Sequence, residues 1–234
     1  YFEGIASGFT LDWIARVWEL YAPTIWRSWL IALITLAVTL VIGVPTAWVL
    51  TLYPGKLGHL IEELITLPVA VPGLASALAL IVSWGSVSWL RGSILFIAIG
   101  HVLFTLPFMV RAARAGMVGT ELIVLDEAAA TLGASRTQRF FYIIVPAARS
   151  GILTGALTVV TLSIGEFNLT WLLHTPLTTT LPVGLANSYN SMRLEVASAY
   201  TLVFLLMLIP LMVGMQWLGG GQALEKRTIQ GEKA

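Results

Sequence analysis

Few residues in this chain have types and settings suited to chemistry, and they are widely spaced. Glu166 is an acid within an otherwise apolar run, in Gly165-Glu166-Phe167-Asn168. A carboxylate near a bilayer centre costs about 2.5–3.5 kcal/mol, and less toward the interface. Glu166 is therefore expected to face a bundle interior or a wet cavity. There it would serve either as a pathway or gate residue, or as a hydrogen-bonded acid at a helix end; Asn168 and Thr170 share both readings. His101 lies within another apolar run, where it is either an interhelical hydrogen-bond partner or a ligand. His59 and His174 fall in different segments, so the three histidines show no metal-ligand spacing and no metal site is expected. With no cysteine there is no thiolate nucleophile, no Cys-bound zinc and no disulfide. The sequence also lacks a G-x-x-x-x-G-K-[ST] phosphate loop, a G-x-S-x-G elbow and an H-E-x-x-H pair. No catalytic residue is expected, and the chain cannot hydrolyse ATP itself.

The longest internal polar stretch, from Arg111 to Pro146, has a different kind of local chemistry. Glu121 to Leu132 is rich in helix formers, with acids suited to the positive end of a helix dipole. Gly133 falls where a left-handed C-terminal residue belongs. Ser135, with Gln138 three residues on, forms a capping box that starts a second helix. That helix carries Arg136 and Arg139, turns apolar at Phe140, and reaches Pro146, which can open the next span as a first-turn proline. Ala128-Ala129-Ala130 makes a narrow face against which another protein's surface can pack.

The elements that must position these residues follow from composition. Of 234 residues, 57% are hydrophobic and only 11% charged, against about 25% charged in soluble domains. That excludes a soluble enzyme, a disordered tail and a secreted disulfide scaffold, and it points to lipid as the solvent. The net charge of +1 excludes a nucleic-acid binder that relies on a concentrated basic patch. A bilayer core needs about 20 helical residues. Five runs qualify: Ser28 to Tyr53, Leu64 to Leu90, Gly92 to Val110, Pro146 to about Trp171, and one within Val196 to Leu224. The expectation is an all-α polytopic membrane protein. Residues 1–24 would be an interfacial lead-in with none of the order of a signal peptide, 25–219 the transmembrane domain, and 220–234 a tail.

Pro45, Pro68, Pro72, Pro107 and Pro210 fall inside these runs, and each removes a backbone hydrogen bond. Pro68-Val-Ala-Val-Pro72-Gly73 is expected to break or sharply bend its helix, and is a candidate for lining a wet path. With five crossings, nine of the 13 Lys and Arg residues fall on the side of the 111–149 loop and four on the other. The positive-inside rule makes the loop side, with the C-terminus, cytoplasmic. Residues Trp171 to Pro182 then form an external stretch, either a surface for a delivery protein or a plain re-entrant connector.

Glu127-Ala128-Ala129, three residues, Gly133, nine residues, then Ile143-x-Val145-Pro146 resembles the signature loop of permease subunits of binding-protein-dependent type I ABC importers. The single departure is Val145 where that pattern has Leu. The likeness extends from about Phe9 to Leu218, through Phe9-Thr-Leu-Asp-Trp13, Leu67-Pro68, Leu106-Pro107-Phe108, Ser163-Ile-Gly165-Glu166-Phe167 and Thr180-Leu-Pro182, and the Gly165-Glu166-Phe167 and Leu181-Pro182 region resembles polyamine, phosphonate, iron and sulfate or molybdate permeases. The resemblance implies a multi-pass inner-membrane subunit whose loop, at about 116–145, docks on an ATP-hydrolysing partner. Glu127, Ala128, Ala129 and Gly133 would make the contact, Asp126 would add a polar one, and Ile143 and Pro146 would hold the loop to the membrane helix. Two ATPase subunits would carry the ATP and Mg, with no cofactor on this chain. A second permease, identical or related, and an extracytoplasmic solute-binding protein would complete the assembly. Many such permeases carry one more span ahead of the lead-in, so either five core helices are the full set or a helix precedes Tyr1, the second being the expectation. The rival readings are a membrane-embedded enzyme using Glu166 and His101 as an acid–base pair, and a non-transporting scaffold.

Overall fold

The computed structural model describes residues 12–118 and 122–231, and these form an all-helical bundle. Three helices are long and apolar enough to cross a bilayer unbroken: α1 (Asp12–Leu52), α5 (Ile94–Met117) and α11 (Leu194–Gly231). Two bent helix pairs pass the same test together and bring the spans to five when each pair is taken as one. The first joins α2 (Lys56–Ala70) to α3 (Gly73–Trp84) at 103° and is followed by the short α4 (Ser88–Arg91). Between α5 and the second pair lies α6 (Leu122–Thr131). The second pair joins α7 (Arg136–Ala147) to α8 (Arg149–Gly165) at 77°. α9 (Asn168–Leu173) and α10 (Leu181–Asn190) lie between α8 and α11.

The five apolar runs therefore correspond to three straight helices and two broken ones, and several boundaries move. α1 runs unbroken from Asp12 through Pro23, so the described part of the lead-in belongs to the first helix. Pro23 is exposed, where water can satisfy the carbonyl it leaves free. Residues 1–11 of that lead-in, including most of Phe9-Thr-Leu-Asp-Trp13, lie outside the described residues, as do Glu121 and the side chains beyond residue 216. α5 continues past Val110 to Met117, so Arg111 and Arg114 belong to the third span's helix and not to the loop. Pro146 does not open the fourth span. It sits inside α7 just after a wide π-type turn at Phe140–Ile144. A proline has no N–H for the carbonyl four residues back, which favours this looser turn. The bend falls two residues later, at the buried Ala148, and α8 ends at Gly165, short of Trp171.

Close helix crossings hold the bundle together. A Cβ on Gly151 would lie 2.4 Å from the Ala112 carbonyl oxygen and 2.8 Å from the Gly116 Cα. A Cβ on Gly155 would meet the Met109 sulfur at 2.9 Å. The pair Gly151/Gly155 thus lets α8 cross α5 backbone on backbone, the small-xxx-small geometry by which membrane helices gain van der Waals contact that lipid cannot offer. One core cluster gathers Val44, Ala47, Leu50, Met117, Leu122 and Ile144 at one end of the bundle. Another gathers Val17, Ile25, Leu181, Ala199 and Tyr200 at the other end. By contrast α2 buries no residue and α3 only Ala77. α3 leaves Leu74, Leu78 and Val82 uncovered, and α2 leaves Leu57, Leu60, Leu64 and Leu67 uncovered.

Candidate functional site

The first candidate site is the elbow made by α6 and α7. Leu122, fully buried, anchors α6 in the core beside Met117 and Ile144. One turn on, Asp126 points the same way and is only 3% exposed. Its Oδ2 accepts a 2.6 Å hydrogen bond from Arg139 Nη1, so an ion pair clamps the two arms of the elbow together. α6 ends by the local device its sequence encodes. The Ala134 N–H donates to the Ala129 carbonyl and the Gly133 N–H to the Ala130 carbonyl, with Gly133 at φ +84°. Ser135 Oγ then accepts from the Gln138 N–H while Gln138 Oε1 accepts from the Ser135 N–H, completing the capping box.

With Leu122 and Asp126 turned inward, the opposite face of α6 is left bare. Glu127 and Ala128 are exposed, Ala129 is half-buried, and Leu132 at the tip is 88% exposed beside the exposed Gly133. The structure thus separates the docking set expected from sequence. Glu127, Ala128 and Gly133 face outward, whereas Asp126 is an internal clamp and not an external contact. Ile143 packs only in part against the core and Pro146 is exposed; the neighbouring Ile144 is the residue held at zero exposure. The π-type turn shifts the helical phase, which spacing counted at 3.6 residues per turn does not register.

The second candidate site is where the broken helices meet. α2 stops at Ala70 and α3 starts after Pro72, as the Pro-x-x-x-Pro-Gly run predicts. The N-terminus of α3 abuts that of α9: a Cβ on Gly73 would lie 3.1 Å from the Asn168 Cβ and 3.5 Å from Glu166 Oε1. Glu166 spends its Oε2 on the backbone, accepting from the Leu169 N–H at 3.0 Å and the Thr170 N–H at 3.3 Å. It therefore satisfies two of the orphan donors at the start of α9. Thr170 Oγ1 pairs with His101 Nε2 at 2.8 Å, and Ser163 Oγ pairs with His101 Nδ1 at 2.8 Å. This buried network joins α5, α8 and α9. His101 is an interhelical partner with both ring nitrogens occupied, and among the described residues no group of three or more acids or histidines could hold a metal.

Beside the junction lies a cavity of about 360 Å³ lined by Pro68, Gly73, Ser76, Gly100 and Leu169, among others. Pro68 is at this cavity; Pro72, His101, Glu166, Asn168 and Thr170 are not among its lining residues. Sequence reasoning missed Ser163 as a partner of His101 and Gly73 as the point of close approach. The only signals were small residues at helix ends, which many positions share. Arg91 is a further omission: its guanidinium donates to the carbonyls of Leu173 and Leu172, capping the C-terminus of α9.

The family described as "Binding-protein-dependent transport system inner membrane component" matches residues 39–223, a region holding both candidate sites. The chain belongs to that family. It is thus an inner-membrane permease component, and its relatives are transport permeases, not enzymes. It is 31% identical over 168 residues to the molybdenum transport system permease protein ModB of Escherichia coli K12, covering 62% of this chain and 70% of that one. The sulfate transport system permease protein CysW of the same organism is 31% identical over 227 residues, covering 89% of this chain and 76% of that one. The spermidine/putrescine transport system permease protein PotB of Salmonella typhimurium SL1344 is 32% identical over 176 residues, covering 68% and 61%. In fold, the permease resembles a chain of the MetNI methionine ABC transporter in an inward-facing conformation, with a TM-score of 0.70 at 14% identity, covering 88% of this chain and 97% of that one.

Proposed function

We propose that this permease forms one half of the solute path of an ABC importer, and that the α6–α7 elbow is the handle by which ATP-hydrolysing subunits move it. The observation behind this reading is the elbow's construction. A buried ion pair and a capped turn make it rigid, while its outward face presents Glu127, Ala128 and an almost fully exposed Leu132. α6 also exposes Ile123, Val124 and Leu125, and an uncovered apolar surface wider than a single side chain suits a protein partner. Two ATPase subunits with their ATP and Mg would grip two such elbows, one on this chain and one on a second permease. The bare surfaces of α2 and α3 suit that second permease and the path between the two. Rocking of the pair would open the path alternately to either side. The basic residues Lys56, Arg111, Arg114, Arg136, Arg139 and Arg149 support a cytoplasmic elbow by the positive-inside rule, and the opposite end would receive solute from an extracytoplasmic binding protein. The relatives are named for molybdenum, sulfate and polyamines, which differ in sign of charge. The ligand held by the partner binding protein is therefore the measurement that fixes the solute.

Leu132→Glu and Glu127→Lys are expected to abolish uptake and to release the ATPase subunit during purification, while the chain still inserts in the membrane. Normal solute-stimulated ATPase activity in both variants would count decisively against the handle.

A further inference from the structure

At the end of the bundle away from the elbow, a cavity of about 340 Å³ opens between α1, the 174–180 connector, α10 and the start of α11. Along α1, Arg27 lies about 35 Å from Leu50 at the elbow end. Tyr21, Thr24 and Arg27 recur every three residues and line one wall, with Ser188, Arg193 and Tyr200 on the others.

The charges and donors here are unbalanced. Two guanidinium groups line the cavity and no carboxylate does. Among the described residues neither arginine has an ion-pair partner. Among the described residues the half-buried Arg27 guanidinium donates only to the Thr179 carbonyl, at 3.5 Å, and the Arg193 guanidinium only to the Tyr21 hydroxyl, at 3.1 Å. Each guanidinium has five donors in a planar fork, and with Arg193 exposed and Arg27 half-buried the remaining donors are open to the cavity and to water. The hydroxyls behave alike. Tyr200 is fully buried, yet among the described residues its hydroxyl meets only Thr24 Oγ1, at 3.5 Å. Ser188 is 6% exposed and its side chain lines the same cavity. Buried polar groups are normally paired, and leaving them unmade is costly.

The backbone also departs from the norm here. Met192 adopts φ +57°, a left-handed conformation that costs a side-chain-bearing residue about 1–2 kcal/mol. The strained turn ends α10, sends the Arg193 N–H back to the Ser188 carbonyl at 3.0 Å, and so fixes Arg193 over the cavity. The Met192 N–H donates to the Tyr189 carbonyl, so the turn is the same helix-ending cap as at Gly133, with a methionine in the glycine position.

We propose that this cavity is a binding site for a small doubly charged oxyanion of the sulfate or phosphate class, free in solution or carried as a lipid headgroup phosphate. The two guanidinium forks neutralise the charge and give paired N–H contacts, and the hydroxyls of Tyr21, Tyr200 and Ser188 supply the remaining donors. On the orientation proposed above, the site faces the compartment from which solute arrives.

The test uses the full chain, purified in a neutral maltoside with any subunits that stay bound, and reads differences between variants. Radiolabelled sulfate is expected to bind saturably to the wild type. Arg27→Gln and Arg193→Gln should each weaken it about tenfold or more, the loss of a charge-assisted contact. Arg149→Gln, at the elbow end, should leave binding unchanged. Native mass spectrometry on protein extracted from phosphatidylglycerol-containing bilayers distinguishes the sources. A phospholipid retained by the wild type and lost from both arginine variants, without sulfate binding, assigns the site to a headgroup phosphate. Ser188→Ala, which removes only a hydroxyl, is expected to weaken whichever ligand binds by a few-fold and covers the case where an arginine variant fails to fold. Sulfate binding and phospholipid retention unchanged across all these variants would overturn the proposal.

Discussion

The elbow and the Gly73–Glu166 junction are both places where helices break, and they are built by opposite means. At the elbow the break is local: Gly133 reverses α6 through a left-handed residue, and Ser135 with Gln138 restarts the chain within two residues. The exposed tip then needs only one long-range clamp, Asp126 with Arg139. At the junction the partners come from afar. His101 reaches a serine 62 residues away and a threonine 69 residues away, and Glu166 caps a helix that also abuts Gly73. A locally coded break can stand out in water as a lever, whereas one surrounded by apolar helices must be satisfied by its neighbours.

Removing the clamp should have the largest effect. Arg139→Ala leaves the Asp126 carboxylate buried and uncompensated, which costs about 3–5 kcal/mol. A marked loss of protease protection across residues 122–139, with the membrane core intact, is the expected result. Unchanged protection would mean that the elbow holds its shape by local coding alone. His101→Leu leaves the Ser163 and Thr170 hydroxyls without their partner, and bonds of this kind in membranes are worth about 0.6–1.7 kcal/mol each. A lower thermal midpoint with uptake per folded molecule preserved is expected. Lost uptake at an unchanged midpoint would make the network part of the path. Gly133→Ala is the smallest change. The added methyl meets nothing within 4 Å, so only the left-handed backbone opposes it, at about 1 kcal/mol. A modest loss of elbow protection is expected, and no change at all would show that the turn tolerates a side chain.

What could be read in the sequence sorts along the same line. The break at Pro72, the glycine turn and the capping box were legible because a missing N–H, an absent Cβ and a side-chain acceptor act within four residues. The inward turn of Asp126 was not legible, since which face of a short helix is buried depends on where Leu122 finds its core. The π-type turn before Pro146 and the continuation of α1 through Pro23 were missed for a related reason. A proline removes one bond, but the surroundings decide whether the helix stops, loosens or runs on.

The sequence by itself determined that this is a helical membrane protein, where its apolar runs lie, which end gathers the basic residues, and that a rigid polar elbow joins two of the spans. These follow from composition and from forces acting along the chain. Only the tertiary structure decided that Asp126 is a clamp, that His101 ties three helices, that Glu166 caps α9, and that Arg27 and Arg193 converge on one cavity. Each of those needs two distant segments to approach within hydrogen-bonding or cavity-lining distance, and packing brings them together in a way that spacing along the chain does not express.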